Sequence, residues 1–252
     1  MNATALLKDQ VVIVTGAAHG IGRAFALGCA QQGARVVVAD VREAPETLAA
    51  IEQAGAQALY VRCDVADEAS VQSMVAQTLR AFGRIDGLIN NAAYFREIVQ
   101  GSFEEIPLDV WDHSFAVNVR GVFLCCKAVM PAMRERKRGS IVNIASVVAV
   151  AGAPRYLHYV AAKGAVLGIT KGLAKEVGDH GVRVNAIAPG FVITDATANR
   201  TPEWRRMFQD ARALKREEFP DDLVGTGLYL LSELSGFVTG QTIVVDGGNV
   251  MY

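Results

Sequence analysis

Only four of the 252 residues are cysteine: Cys29, Cys63 and the adjacent pair Cys125-Cys126. That scatter fits neither a disulfide framework nor the paired spacings of a metal site, so reduced thiols and no metal are expected. Proline is scarce, with 7 in the chain, and no Pro/Ser-rich linker, charge block or internal repeat breaks it up. A single domain over 1–252 follows. The formal net charge is -1, which leaves no basic field to gather nucleic acid or anionic lipid. No apolar run approaches the ~20 residues that span a bilayer, and MNATALLKDQ has no long apolar stretch before Lys8 and Asp9. The expectation is a soluble, cytoplasmic protein with neither nucleic-acid nor membrane partners.

What the chain does have is alternation. Short β-branched runs at 10–15, 34–40, 58–64, 87–91, 139–146, 182–189 and 241–246 read as strands. Helix-period segments such as IGRAFALGCAQQG and EASVQSMVAQTLRAFG lie between them, several ending in glycine. Strand–helix alternation implies parallel strands with right-handed crossovers, and continuous apolar runs imply strands buried on both faces. The fold class is therefore α/β: one doubly wound, Rossmann-type parallel sheet of about seven strands with helices on both faces. Residues 191–219 have no clear period and read as an insertion that closes over a site.

The first strand runs into Thr15-Gly16-Ala17-Ala18-His19-Gly20-Ile21-Gly22 and then a helix. Gly16 permits a tight turn, Gly20 lets the backbone approach a pyrophosphate, and Gly22 allows helix to pack on strand. The helix start adds unpaired N–H groups and a positive dipole end. The second strand ends at Asp40, whose carboxylate suits two ribose hydroxyls and repels a 2′-phosphate, favouring NAD over NADP. Arg42, close by, offsets part of that charge. Later, Tyr159 and Lys163 stand one helical turn apart, so an ammonium can favour a phenolate. The pair also suits an ordinary helix face with a half-buried tyrosine and a solvated lysine.

These segments occur in one order: TGAAHGIG, Asp40, Cys63-Asp64-Val65, Asn90-Asn91-Ala92-Ala93, Asn118, Ser146, Tyr159 with Lys163, Pro189-Gly190, and TGQTIVVDGG at 239–248. Over nearly its whole length the chain resembles the short-chain dehydrogenase/reductase family. The resemblance implies an NAD-dependent oxidoreductase of secondary alcohols and ketones, and a homotetramer. It implies a catalytic set of Asn118, Ser146, Tyr159 and Lys163, with Tyr159 as acid/base, Ser146 holding the substrate oxygen and Asn118 helping keep a water relay. Lys163 would bind the nicotinamide ribose and lower the Tyr159 pKa. The cofactor would further be held by Gly16, His19, Gly20, Ile21, Gly22, Asp40, Asp64, Val65, Asn91, Ala92, Pro189, Gly190, Val192 and Thr194. His19 stands where NADP-dependent relatives often carry arginine, which again points to NAD. Ala93 departs from the family's usual glycine, so a displaced backbone is expected there.

By the same resemblance the substrate pocket falls to Tyr94, Phe95, Val148, Tyr156, Phe191, Met207 and Phe208, together with Val147, Ala153 and Trp204. That mostly apolar, aromatic set suits a hydrophobic ketone or secondary alcohol better than a charged acid or a polyol. The stretch YLHYVAAK and the ending DGGNV are similar to those of relatives acting on aryl or cyclic secondary alcohols. A 3-oxoacyl-carrier-protein reductase, a sugar or polyol dehydrogenase, and a non-enzymatic NAD sensor are the alternatives. The first conflicts with Asp40, and the last has no need of all four catalytic residues. His158 and the Cys125-Cys126 pair read as packing residues rather than as a relay or a redox couple.

Overall fold

The computed structural model describes residues 5–95, 100–197 and 200–251. The β-branched runs form seven strands: β1 (Val11–Thr15), β2 (Arg35–Asp40), β3 (Ala58–Arg62), β4 (Gly87–Asn90), β5 (Gly139–Ile144), β6 (Val182–Pro189) and β7 (Thr242–Val245). All pair in parallel within one sheet of order β3-β2-β1-β4-β5-β6-β7. β3 and β5 end at Arg62 and Ile144, short of the expected 64 and 146. Asp64 and Ser146 are thereby released into the loops above the sheet. The direction of winding reverses between β1 and β4, and in an open α/β sheet ligands enter the crevice at that switch point.

The helices are α1 (Gly20–Gln31), α2 (Pro45–Gln53), α3 (Glu68–Phe82), α4 (Leu108–Phe115), α5 (Gly121–Arg136), α6 (Val148–Ala151), α7 (Leu157–Val177), α8 (Pro202–Ala211) and α9 (Asp221–Leu231). Successive strand side chains point to opposite faces, and β1 shows the result. Val11 and Ile13 join one core with residues of α3, α5 and α7, while Val12 and Val14 join a second with residues of α1, α2 and α9. A strand apolar at every position is what a sheet covered on both sides requires.

One sequence expectation needs revision. The segment 191–219 is not without regular structure, because it contains α8. The Thr201 side chain accepts a hydrogen bond from the Trp204 N–H, and Pro202 occupies the first helical position. Thr-Pro-Glu was thus a legible helix start. α4, a π-helical turn at Ala116–Arg120 and α5 form one helical run, Leu108–Arg136, long and apolar enough by those two measures to cross a bilayer. Half of its most apolar window is buried inside the fold, as in a core helix.

Candidate active site

A cavity of about 940 Å³ opens above the carboxyl ends of the strands. Its floor begins at the glycine-rich turn. Gly16 has φ +64, a left-handed conformation that other residues adopt only with strain. The Asn91 side-chain amide donates to the carbonyls of both Thr15 and Gly16 at 3.0 Å. The Thr15 hydroxyl in turn accepts from the N–H groups of Asn91 (3.0 Å) and Ala92 (3.1 Å). At Gly22 a Cβ would stand 2.1 Å from the Gly16 carbonyl oxygen. Gly22 therefore packs helix onto turn, and it does not line the cavity as Gly16, His19, Gly20 and Ile21 do. The start of α1 has no side-chain cap and no acidic residue in its first turn. Its leading N–H groups suit an anion such as a pyrophosphate.

At the far end of this turn Asp40 is buried at the tip of β2. One carboxylate oxygen accepts from the Ala18 N–H and the other from the Arg42 N–H, each at 3.0 Å. Asp40 therefore braces the turn as well as facing the cavity. The Arg42 guanidinium lies 2.7 Å from His19 Nε2 and 4.0 Å from Asp40. Asp64 lines the same end and caps the Ala66 N–H, while Val65 packs against Gly121. Ala93 takes no positive φ, so the alanine sits there without backbone strain.

The other end holds the catalytic candidates. Ser146 follows β5, and Tyr159 and Lys163 share one face of α7; all three line the cavity. The nearby Ser146 hydroxyl holds the Tyr159 phenol pKa down, but burial outweighs this and the pKa is raised overall. Lys163, 3% exposed, donates to the Ile144 carbonyl at 2.7 Å, with its Nζ 5.6 Å from the Tyr159 ring centre. Burial pushes its pKa down to about 8. Burial therefore dominates at both members of the i to i+4 pair. Both groups are driven toward their neutral forms.

Asn118 lies in the π turn, fully buried. Its carboxamide accepts from the Tyr94 N–H at 2.9 Å and donates to the Tyr94 carbonyl at 3.1 Å and to Ser114 Oγ at 3.2 Å. It does not line the cavity; it fastens the loop after β4 from behind. His158 is also fully buried, with neither ring nitrogen hydrogen-bonded and its pKa lowered by burial. Burial likewise pushes the Cys126 thiol up to about 12 and that of Cys125 well above its ordinary value, which suits packing residues.

Tyr94, Phe95, Val147, Val148, Ala153, Tyr156, Phe191, Trp204 and Phe208 all line the substrate end. Phe191, Trp204 and Phe208 form an aromatic cluster with centroids 4.4 to 5.0 Å apart. The Tyr156 hydroxyl is held by Arg200 at 2.9 Å and by Gln100. Met207 is a correction: it is 56% exposed and lies outside the lining, because Trp204 and Phe208 already occupy the inward face of α8. His113, Asn249 and Val250 line the cavity and were not anticipated. Nothing in their local pattern marks them, since α4 and the chain's last turn reach the cavity only through tertiary packing.

A family model described as enoyl-(acyl carrier protein) reductase matches residues 16–249. The 3-oxoacyl-[acyl-carrier-protein] reductase of Synechocystis sp. is 40% identical over 98% of this chain and 99% of its own length. The chain belongs to the short-chain dehydrogenase/reductase family. The 2,5-dichloro-2,5-cyclohexadiene-1,4-diol dehydrogenase of Sphingobium indicum is 41% identical over 96% of this chain and 97% of its own. The crystal structure of levodione reductase superposes with a TM-score of 0.93 at 34% identity, covering 98% of this chain and all of that one. As a member of this family the protein is an oxidoreductase acting between alcohol and ketone. Its uncapped α1 terminus and the cavity beside it fit the family's nicotinamide cofactor.

Proposed function

We propose that this short-chain dehydrogenase/reductase uses NAD to interconvert hydrophobic secondary alcohols, aryl or cyclic, with their ketones, and that Tyr159 is the acid/base. The observation that carries the reading is the meeting of Ser146, Tyr159 and Lys163 on one wall of a cavity whose remaining substrate end is apolar and aromatic. Gly16, His19, Gly20 and Ile21 would hold the pyrophosphate, Asp40 the adenosine ribose, and Asp64 and Val65 the adenine. Asn91, Ala92, Pro189, Gly190, Val192 and Thr194 would border the nicotinamide side. When bound, the nicotinamide would supply the hydride acceptor for the alcohol carbon, or the hydride donor for the ketone. Tyr159 holds the proton at its Oη, and Ser146, on the same wall, orients the substrate oxygen beside it. Lys163 holds the nicotinamide ribose, and its ammonium opposes the burial that now keeps the phenol neutral. Asn118 supports the water relay through the loop it fastens, the segment 191–219 closes over the substrate, and the assembly is a homotetramer.

The name of one relative, a cyclohexadiene-diol dehydrogenase, supports a cyclic substrate. The reading is tested by following NADH absorbance with a panel of aryl and cyclic ketones, polyols and 3-oxoacyl thioesters. Highest kcat/KM on the aryl or cyclic ketones is expected; highest kcat/KM on the thioesters favours the carrier-protein reductase instead, which the Synechocystis relative exemplifies. Cofactor choice has its own test. The parent is expected to prefer NAD, and Asp40→Ser to narrow the gap, because the buried carboxylate that repels a 2′-phosphate is gone and Arg42 remains. Equal or better use of NADP by the parent would overturn it.

A further inference from the structure

Beneath the apolar end of the cavity lies an ion pair that the chemistry above does not use. Arg212 and Glu218 are each 4% exposed and meet at 2.9 Å. Arg212 directs its fork of donors at four groups: Nε to the Asp246 carbonyl (3.0 Å), Nη1 to the Arg216 carbonyl (2.9 Å), and Nη2 to the Phe191 carbonyl (2.8 Å) and to Glu218 Oε2. Glu218 is tied to the same place through its backbone. Its carbonyl accepts the Ile193 N–H at 2.8 Å, and it forms a parallel bridge with Val192. Space is short there: a Cβ on Gly190 would stand 2.6 Å from Glu218 Oε2 and 2.7 Å from Asp246 Cβ. Gly190 is a glycine because the pair and the last turn press against it. The stretch from Gly190 to Ile193 is therefore held from below by the Arg212 side chain, which the Glu218 carboxylate aims, and by the Glu218 backbone, and the Phe191 ring is delivered into the aromatic cluster above.

A buried arginine–carboxylate pair adds little net stability, because desolvation offsets attraction. What a rigid planar fork supplies is geometry. We infer that Arg212 and Glu218 are positioning residues for the nicotinamide half of the site, acting through the backbone of Gly190 to Thr194. This rests on the proposed placement of Val192 and Thr194 against the nicotinamide. Glu218 faces Arg212, Asp246 and Asp222, and burial, opposed by Arg212, pushes its carboxyl up to about 7. Its other oxygen, Oε1, has no partner. As pH falls through about 7 the carboxylate takes a proton and its attraction for Arg212 is lost, so the clamp is firm above that pH and slack below.

The test compares NAD with ADP-ribose, which lacks only the nicotinamide, by calorimetry on the parent, Arg212→Met, Arg212→Lys and Glu218→Gln. Arg212→Met and Glu218→Gln are expected to leave ADP-ribose affinity unchanged, to weaken NAD, and to slow turnover by up to about 10²-fold, the scale of an ångström of misplacement. Arg212→Lys should recover part of the loss. The parent's ratio of NAD to ADP-ribose affinity should rise between about pH 6 and about pH 8.5, on either side of the Glu218 titration, and that of Glu218→Gln should stay flat. Parallel changes in both ligands, or none in either, overturn the inference; if Arg212→Met does not fold, Glu218→Gln, which keeps the shape of the side chain, decides alone. A parent that binds NAD no better than ADP-ribose overturns instead the nicotinamide placement on which the inference rests.

Discussion

Tyr159→Phe is expected to remove nearly all turnover, a loss of at least about 10² to 10⁴-fold, while leaving NAD binding largely intact. The ring stays packed against Phe95, 5.1 Å away between centroids, and only the hydroxyl disappears. Lys163→Met should act differently. It removes an amine from the ribose site, so NAD binding weakens, and it removes the charge that opposes burial of the phenolate, so the pH profile of alcohol oxidation moves to higher pH. It should also stabilise the fold at neutral pH. The Lys163 pKa is depressed in the native state, to about 8. The native chain thus disfavours the ammonium that the unfolded chain carries freely. That cost is complete below pH 8 and fades as pH rises toward the ordinary lysine value. The gain from Lys163→Met is then on the order of 1 to 3 kcal/mol at pH 7 and vanishes above about pH 10.5. Thermal unfolding at several pH values reads the stability, and NADH absorbance reads the rate. Near-full activity in Tyr159→Phe would sink the mechanism, and a Lys163→Met profile unmoved at saturating NAD would sink the role given to the lysine.

The second large effect falls on Gly22, which touches no substrate. In Gly22→Ala the new methyl would lie 2.1 Å from the Gly16 carbonyl oxygen and 2.5 Å from the Asn91 amide nitrogen. Neither neighbour yields cheaply, because the carbonyl is backbone and the amide is hydrogen-bonded to it. Helix α1 must move off the turn, and overpacking of this kind costs about 1 to 3 kcal/mol or more. Both a lowered thermal midpoint and a much weaker affinity for NAD are expected, since the N–H groups proposed for the pyrophosphate move with the helix. A variant with unchanged midpoint and unchanged NAD affinity would show that the turn is looser than its geometry implies.

Much of this was legible because short-range rules governed it. Period-two and period-3.6 patterns determine which segments are strands and helices, and continuous apolar runs such as Val11–Val14 determine that the sheet is covered on both faces. The glycine turn, Asp40 and the Tyr159–Lys163 spacing were readable for the same reason: each is a few residues long and carries its chemistry with it. Only the tertiary structure decided the rest. It alone showed that the carboxamide of Asn118 fastens Tyr94, that Met207 turns outward while Trp204 and Phe208 turn in, and that Asn249 and Val250 reach the cavity from the far end of the chain. It also set the electrostatic balance at Tyr159 and Lys163, since desolvation depends on what packs around a group and not on which residue lies one turn away. Nothing in the sequence singles out Arg212 and Glu218. Folding buried them together under Phe191, because the carbonyls that satisfy a guanidinium come from segments that meet only in three dimensions.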